Sequence, residues 1–163
     1  MKIVGRVWKF GDEINTDLIF PHRALRVPPE QQIKLVFSDN RPGWAEEVRA
    51  GDILIAGRNF GTGSSRPGAA LLKRLGLGGM VAESFNGLFF RNCISYGFPA
   101  IQCEGICSLF SEGELAEIDL LEGTVTNKST GEHLIGKRIS ASMSEILEAG
   151  GIAELLRNEG YLE

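Results

Sequence analysis

The sequence lacks any apolar run of membrane-spanning length. No stretch reaches about 18 consecutive apolar residues, so no membrane span is expected. Residues 1–13 include neither a long apolar core nor a small-residue cleavage site, and we do not expect a secretory signal. The formal net charge of -4 requires no basic face, which argues against nucleic acid or a membrane surface as a partner. We therefore expect a cytoplasmic protein.

Cysteine and histidine are scarce. Cys93, Cys103 and Cys107 form no CxxC pair, so we expect buried or free thiols in a reducing compartment and no metal or cluster site made by these three residues alone. His22 and His133 are the two histidines, and neither fits a catalytic triad pattern, which disfavours a serine hydrolase. The Walker and GxGxxG patterns are also absent, which disfavours a nucleotide site.

Apolar segments and glycines alternate regularly through the middle of the chain, whose length fits one domain spanning residues 1–163. The order strand, helix, strand, helix, strand predicts a parallel sheet. A helical turn and a hairpin with the connection NKSTGE are predicted over residues 111–134, and they add antiparallel pieces. We therefore predict an α/β fold with a mixed, largely parallel central sheet. The predicted strands cover 2–10, 52–57, 79–84 and 98–103, and the predicted helices cover 66–78 and 85–97.

Three further segments have sequence patterns that predict their secondary structure. Residues 22–32 are predicted to be an exposed connection, because Pro28 and Pro29 are expected to prevent a helix. Residues 43–52 predict a short helix closed by Gly51. Residues 142–160 predict one or two helices broken at the Gly150–Gly151 pair.

The stretch 57–68, GRNFGTGSSRPG, combines a predicted strand end, a glycine pair and three polar residues. Gly61 and Gly63 would let the backbone approach a ligand closely. If Ser65 caps the following helix, the helix start and the Arg66 guanidinium would together bind a carboxylate. Serine is also a common helix cap, and Arg66 could be a solvated side chain. The strand, the glycine pair and the Ser-Ser-Arg order together favour the binding site.

Ser64 or its neighbour could act as a base only in a strongly positive site, because a serine hydroxyl is a very weak acid. One arginine and one helix end do not supply that charge. The remaining positive charge would have to come from outside this chain.

Four features carry a resemblance to a known family: the segments GDEINTDLIFP, GRNFGTGSSR and VAESFNGLFFRNCISYGFPAI, and the chain length. Together they resemble the small subunits of 3-isopropylmalate dehydratases, which correspond to the swivelling C-terminal domain of aconitases. The resemblance runs from about residue 3 to about residue 157. It implies a single swivelling domain of the β/β/α type.

The resemblance implies a two-subunit hydro-lyase that moves a hydroxyl group between adjacent carbons through an alkene, interconverting 2- and 3-isopropylmalate in leucine biosynthesis. A large subunit would hold a 4Fe–4S cluster on its own cysteines, and this chain would bind no metal. By that match, Ser64 takes the α-proton, Ser65 hydrogen-bonds the substrate and Arg66 clamps a carboxylate of the 2-hydroxy dicarboxylate. When isolated, the chain could form a homo-oligomer.

In the family, a specificity loop follows the INTD turn, and residues 24–27 occupy its four positions. By the resemblance, Arg26 would meet a substrate carboxylate and Leu25 would contact an alkyl substituent. The alternative is a surface loop with Leu25 packed beneath it.

Two departures leave the substrate open: Pro67 and Gly68 replace the family's Glu-His, and Thr62 replaces a frequent cysteine. A homoaconitase, dimethylmalate or methylcitrate type of dehydratase remains an alternative. A stand-alone carboxylate-binding module and a subunit that serves only to dock a neighbour are further alternatives.

Overall fold

A computed structural model describes residues 1–63 and 67–163 of the chain. Within these ranges, seven strands form a single sheet. In chain order they are β1 (Lys2–Lys9), β2 (Ile53–Ala56), β3 (Gly79–Ala82), β4 (Ala100–Gln102), β5 (Leu115–Asp119), β6 (Thr124–Asn127) and β7 (His133–Ile135).

The sheet is mixed, with a parallel half and an antiparallel half that meet at β1. Its order is β4-β3-β2-β1-β5-β6-β7. On one side β1 runs parallel to β2, with Val7 opposite Ile53, and β3 and β4 continue the parallel half. On the other side β1 runs antiparallel to β5, with Ile3 opposite Ile118. This confirms the predicted α/β fold with a mixed sheet.

The antiparallel half is larger than the sequence predicted. The segment expected to be a helical turn contains β5, so three strands lie where one hairpin was expected. The reason is the two-residue spacing of Ala116, Ile118 and Leu120, which places all three side chains in the core. The predicted NKSTGE connection is confirmed, since Thr126 pairs with His133 across it.

Short helices connect the strands, and their bounds correct two predictions. A helix begins at Pro29, where a missing N–H removes no helical bond, so the prediction that the prolines prevent a helix is wrong. The helix predicted over 43–52 ends at Glu47, before Gly51. The α-helices are α1 (Thr16–Ile19), α2 (Pro29–Gln32), α3 (Trp44–Glu47), α4 (Gly68–Leu75), α5 (Gly87–Ser95), α6 (Ile106–Leu109), α7 (Ala141–Ala149) and α8 (Ile152–Asn158), with 3-10 helices at His22–Arg26 and Ile33–Leu35.

The break predicted at Gly150–Gly151 is confirmed, because α7 ends at Ala149 and α8 begins at Ile152. Both glycines have positive φ, at 92° and 132°, a conformation that favours glycine. In residues 1–63 and 67–163, no helix is long and apolar enough to cross a membrane.

The parallel half of the sheet is buried on both faces. All four residues of β2 are buried, with Leu54 and Ala56 in one apolar cluster and Ile53 and Ile55 in the other. Strands that are covered on both faces have continuous apolar sequences, and this pattern allowed β2 to be predicted from the sequence. Because both faces are covered, the carboxyl ends of the parallel strands are the natural location for a site.

Candidate functional site

The glycine loop continues β2 beyond the carboxyl edge of the sheet and pairs with the segment that follows β1. The N–H of Gly61 donates to the carbonyl oxygen of Ile14 at 2.7 Å, and the N–H of Thr16 donates to that of Thr62 at 2.9 Å. Residues 57–63 of the loop are therefore held against the INTD turn by backbone hydrogen bonds.

The same loop also pairs with the segment that follows β3. Phe60 donates its N–H to the carbonyl oxygen of Ser84 at 3.1 Å and accepts from the N–H of Asn86 at 2.9 Å. The loop thus lies between the segments that extend the two neighbouring strands. Three successive strands of the parallel half contribute to one edge, as expected for a site on an α/β sheet.

Two non-glycine residues at this edge have left-handed backbone conformations. Glu13 and Asn59 both have φ of 56°. The Asn59 amide Nδ2 donates to Glu13 Oε1 at 2.6 Å, so the two residues hold each other in place. Such conformations are costly for residues with a side chain and cluster at functional sites.

Glycine is required at two positions of the loop. A Cβ atom at Gly61 would lie 2.1 Å from Cγ of Phe89, and Gly61 has φ of 86°. Gly63 has φ of 108°, and a Cβ atom there would lie 3.2 Å from Thr16 Oγ1. The sequence interpretation assigned these glycines to close approach of a ligand. The structure adds that Gly61 admits the Phe89 ring against the backbone, and the approach of a ligand stays a prediction.

Ser64, Ser65 and Arg66 lie outside the described residues, so their predicted roles stay predictions. Pro67, the first described residue after them, is the N-cap residue of α4. The N-cap position therefore falls on Pro67 rather than on Ser65 as the sequence interpretation supposed. Gly68 begins the helix in a tightly packed position, since its Cβ would lie 3.2 Å from both Ile19 Cδ1 and Phe89 Cε2.

A shallow depression separates the described part of the loop from α5. Asn86 caps this helix, with its Oδ1 accepting from the N–H groups of Leu88 and Phe89. The Asn92 carboxamide has no hydrogen-bond partner among residues 1–63 and 67–163, and Leu88 is 44% exposed. The lining residues are Thr16, Gly61, Gly63, Asn86, Leu88, Phe89 and Asn92.

Sequence reasoning missed the contribution of α5 to this edge. The apolar spacing of Phe85, Leu88 and Phe89 in the predicted helix 85–97 indicates one shared stripe, whereas Leu88 is exposed and Phe89 is buried. Leu88 and Asn92 are four residues apart and so share one face of the helix. The four-residue spacing in the sequence could therefore have predicted that Leu88 and Asn92 face the loop together.

The predicted specificity segment forms a 3-10 helix, His22–Arg26, soon after α1. Ala24 is fully buried, whereas Leu25 is 56% exposed and Arg26 is also exposed. Ala24, and not Leu25, therefore packs beneath this segment, and the alternative in which Leu25 does so is wrong.

The two arginines of this 3-10 helix differ in their partners. Arg23 donates to Ser38 Oγ at 2.6 Å and pairs with Asp39 at 3.0 Å. Arg26 makes no ion pair with any residue in the described part of the chain. Its guanidinium is therefore available to a carboxylate from outside.

A buried carboxylate that accepts three hydrogen bonds lies at the opposite end of β2. Asp52 precedes this strand and is 4% exposed, and its Oδ2 accepts from Arg6 Nη2 at 2.8 Å, Trp8 Nε1 at 2.8 Å and the Arg49 N–H at 2.9 Å. Burial opposes ionisation most strongly, but the hydrogen bonds together lower the pKa of Asp52 below its ordinary value. Because this network joins β1 to β2 away from the glycine loop, its role is structural.

The three cysteines are free thiols. Burial raises the pKa of all three, with that of Cys103 reaching about 11. Among the side chains of residues 1–63 and 67–163, no group of three or more His, Cys, Asp or Glu could hold a metal ion.

Comparisons with known proteins agree with this architecture. The pattern of the aconitase C-terminal domain family matches residues 14–104. The chain is 45% identical over 160 residues to 3-isopropylmalate dehydratase small subunit 1 of Methanopyrus kandleri, covering 97% of this chain and 94% of that protein. It is 43% identical over 159 residues to the isopropylmalate/citramalate isomerase small subunit of Methanocaldococcus jannaschii, covering 96% and 95%.

A solved structure shows the same fold. The crystal structure of 3-isopropylmalate dehydratase from Methanocaldococcus jannaschii matches with a TM-score of 0.89 and 31% identity, covering 98% of this chain and 96% of that one. The family pattern covers the strands and loops that build the site, and the relatives cover nearly the full length of both chains. The chain therefore belongs to the aconitase C-terminal domain family, among the small subunits of 3-isopropylmalate dehydratases.

Proposed function

We propose that this chain is the small subunit of a two-subunit hydro-lyase that interconverts 2-isopropylmalate and 3-isopropylmalate through an alkene, a step of leucine biosynthesis. The observation that carries the proposal is the glycine loop, held by backbone hydrogen bonds with Ile14, Thr16 and Asn86 directly before the Ser-Ser-Arg sequence. The glycine loop and these three residues all lie within residues 14–104, the range that the family pattern matches.

Each residue of the Ser-Ser-Arg sequence has a proposed role. Ser64 takes the proton from the carbon next to the departing hydroxyl group and returns a proton on rehydration. Ser65 hydrogen-bonds the substrate, and Arg66 binds one carboxylate with its planar fork. Arg26 meets the second carboxylate and Leu25 contacts the alkyl substituent, and the exposure of both side chains supports these roles.

In this proposal the large subunit supplies the metal centre of the reaction. A 4Fe–4S cluster that serves this site would be held by the partner, as the family resemblance implies. When bound there, the cluster would supply a Lewis acid for the departing hydroxyl group. The contribution of this chain is to orient the dicarboxylate and to move the proton at Ser64.

One relative favours a second substrate. The Methanocaldococcus jannaschii protein, at 43% identity, is named for both isopropylmalate and citramalate. Citramalate carries a methyl group where isopropylmalate carries an isopropyl group. We therefore propose citramalate as a second candidate for the same site.

Reconstitution with the large subunit tests the function. The full chain, mixed anaerobically with the large subunit of the same organism, is expected to convert 2-isopropylmalate with a rise and decay of alkene absorbance. Ser64→Ala is expected to lower turnover by about 10²–10⁴-fold, the usual contribution of a general base, while the complex still assembles in size-exclusion chromatography. Ser108→Ala is the matched control, because Ser108 is exposed on α6.

Three outcomes would contradict the proposal in different ways. Full turnover by Ser64→Ala refutes the assignment of the base. Activity of the chain without any partner refutes its role as a subunit. Saturable binding of a dicarboxylate by the lone chain in calorimetry, with no activity in the complex, supports a carboxylate-binding module instead.

A further inference from the structure

A second concave site lies beyond the carboxyl ends of β3 and β4. It is a cleft with a volume of about 270 Å³, open to solvent. Phe85, Phe90 and Met143 supply its apolar lining, and Gln102, Lys137 and Arg138 supply its polar groups. The roles assigned above to residues 25, 26 and 64–66 make no use of these six side chains.

The cleft is built by three separate parts of the chain that the fold fixes relative to one another. The Lys137 N–H donates to the carbonyl oxygen of Gln102 at 2.8 Å, which holds the cationic segment against the end of β4. The ring of Phe85 contacts that of Phe90, with ring centroids 5.6 Å apart. Met143 lies in the first turn of α7. The site is therefore formed by the fold rather than by one loop.

The polar groups of the cleft are available to a ligand. Lys137 is exposed and makes no ion pair with residues 1–63 or 67–163, and the Gln102 carboxamide has no hydrogen-bond partner in those ranges. Arg138 pairs with Glu122 at 3.7 Å and donates from its Nε to the Glu122 carbonyl oxygen at 3.2 Å, but both side chains are about two-thirds exposed, at 67% and 66%. Such a surface ion pair contributes little free energy, so a ligand carboxylate can replace Glu122 as the partner of Arg138 at small cost.

The combination of groups defines the chemical class of the ligand. An apolar lining with a few convergent polar groups is typical of small-molecule sites. Two cations favour an anion, and the planar guanidinium of Arg138 matches a carboxylate. The chain as a whole has a net charge of -4, so this cationic pair is a local feature rather than part of a basic surface.

We propose that this cleft binds a small monocarboxylate with an aromatic or branched apolar body. The body lies against Phe85, Phe90 and Met143, and the carboxylate accepts hydrogen bonds from Lys137 and Arg138. Phe85 also stacks with Phe89, the residue packed against Gly61, so an occupant would contact the aromatic cluster that supports the glycine loop.

Phenylacetate is the probe for the test, with phenylacetamide as the uncharged control of the same shape. Titration of the ¹⁵N-labelled full chain is expected to give saturable shifts at the amides of Gly87, Gln102 and Lys137. Phenylacetamide is expected to bind at least about tenfold more weakly, because it lacks the charge-assisted hydrogen bonds.

Two variants test whether phenylacetate binds in the cleft rather than elsewhere on the surface. Gly87→Leu adds a bulky side chain to the lining of the cleft, since Gly87 is one of its lining residues and a Cβ there meets nothing within 4 Å. It is expected to abolish the shifts. The double variant Lys137→Gln/Arg138→Gln changes only exposed side chains and is expected to weaken binding by about tenfold or more. Lys128→Gln is the matched control, because Lys128 is an exposed lysine beside Glu117 of β5.

Each remaining outcome overturns the proposal. Absence of saturable shifts, or equal affinity of the wild type and the double variant, shows that the cleft binds no carboxylate. The double variant keeps the test valid if Gly87→Leu does not fold. None of these results bears on whether Ser64 is the base, so failure here and failure of the proposed function are distinguishable.

Discussion

Gly61 lies so close to Phe89 that a single added carbon atom has no room. The Cβ position at Gly61 is 2.1 Å from Cγ and 2.4 Å from Cβ of the buried Phe89 side chain. Phe60, the preceding residue, also contacts Phe89, with ring centroids 5.2 Å apart. The glycine loop therefore rests on the aromatic residues of α5, and its position depends on this one close approach.

Gly61→Ala is expected to destabilise the chain by roughly 2–4 kcal/mol, because it adds both an overpacked contact and a strained positive φ. Chemical denaturation followed by circular dichroism measures the change. Gly87→Ala is the control, since its Cβ meets nothing within 4 Å. An unchanged free energy of unfolding for Gly61→Ala would contradict the packing described here.

Asp52→Asn is expected to destabilise the chain near pH 7 by about 2–3 kcal/mol. The substitution removes the charge that accepts from Arg6, Trp8 and the Arg49 N–H, and Arg6 is only partly buried, which moderates the loss. Glu104→Gln, at a side chain 88% exposed, is expected to change stability by less than about 0.5 kcal/mol.

The effect of Asp52 is also expected to depend on pH. Its folded-state pKa is below the ordinary 3.8, so its ionisation stabilises the fold fully above that value. That contribution is lost as the pH falls below 3.8 and through the folded-state pKa. Urea denaturation of the wild type and Asp52→Asn at a series of pH values checks this. A difference that stays constant as the pH falls would contradict the ionised state of Asp52.

The native thiols are expected to react slowly with a disulfide reagent near pH 8. Cys93 and Cys103 are buried, and burial raises the pKa of all three thiols, so the reactive thiolate is scarce. Cys107, which is only partly buried, is expected to react first. Cys107→Ser should remove that first phase, and denaturant should expose the remaining two thiols at once. Fast reaction of Cys93 in the native chain would contradict its burial.

The parts of the fold that could be predicted from the sequence are those in which local pattern and tertiary environment agree. The four residues of β2 are all apolar and all buried, and the Gly150–Gly151 break follows from backbone conformation alone. Strand β5 was missed because the polar residues 111–114 resemble a helix start, and the alternation at Ala116 and Ile118 begins only after them.

The candidate site could be predicted only in part, since its contacts join distant segments. The motif identified the glycine loop, but the bonds from Thr16 to Thr62 and from Asn86 to Phe60 depend on the strand order. Ala24 rather than Leu25 is buried because this segment forms a five-residue 3-10 helix. The sequence analysis predicted no helix there. The contribution of Asn92 depends on which face of α5 meets the loop.

Arg26→Gln is expected to lower kcat/KM for 2-isopropylmalate in the reconstituted enzyme by about 10–100-fold, the loss of one charge-assisted bond to a carboxylate. Arg23→Gln is the matched control on the same 3-10 helix, because Arg23 already pairs with Asp39 and Ser38. Equal losses in the two variants would show that the segment acts through its fold, and no loss in Arg26→Gln would refute a carboxylate contact.

Leu25→Ala is expected to alter the choice between substrates more than the fold. Leu25 is 56% exposed, so shortening it leaves no buried cavity and should change the free energy of unfolding by less than about 0.5 kcal/mol. If its side chain contacts the alkyl substituent, the larger isopropyl group of isopropylmalate loses more contact than the methyl group of citramalate. The ratio of kcat/KM for the two substrates should then move toward citramalate by about tenfold, the usual effect of one or two methylene groups. Competition between the two substrates in one reaction measures this ratio directly, and an unchanged ratio would mean that the alkyl group contacts another surface, such as Leu88 or the partner subunit.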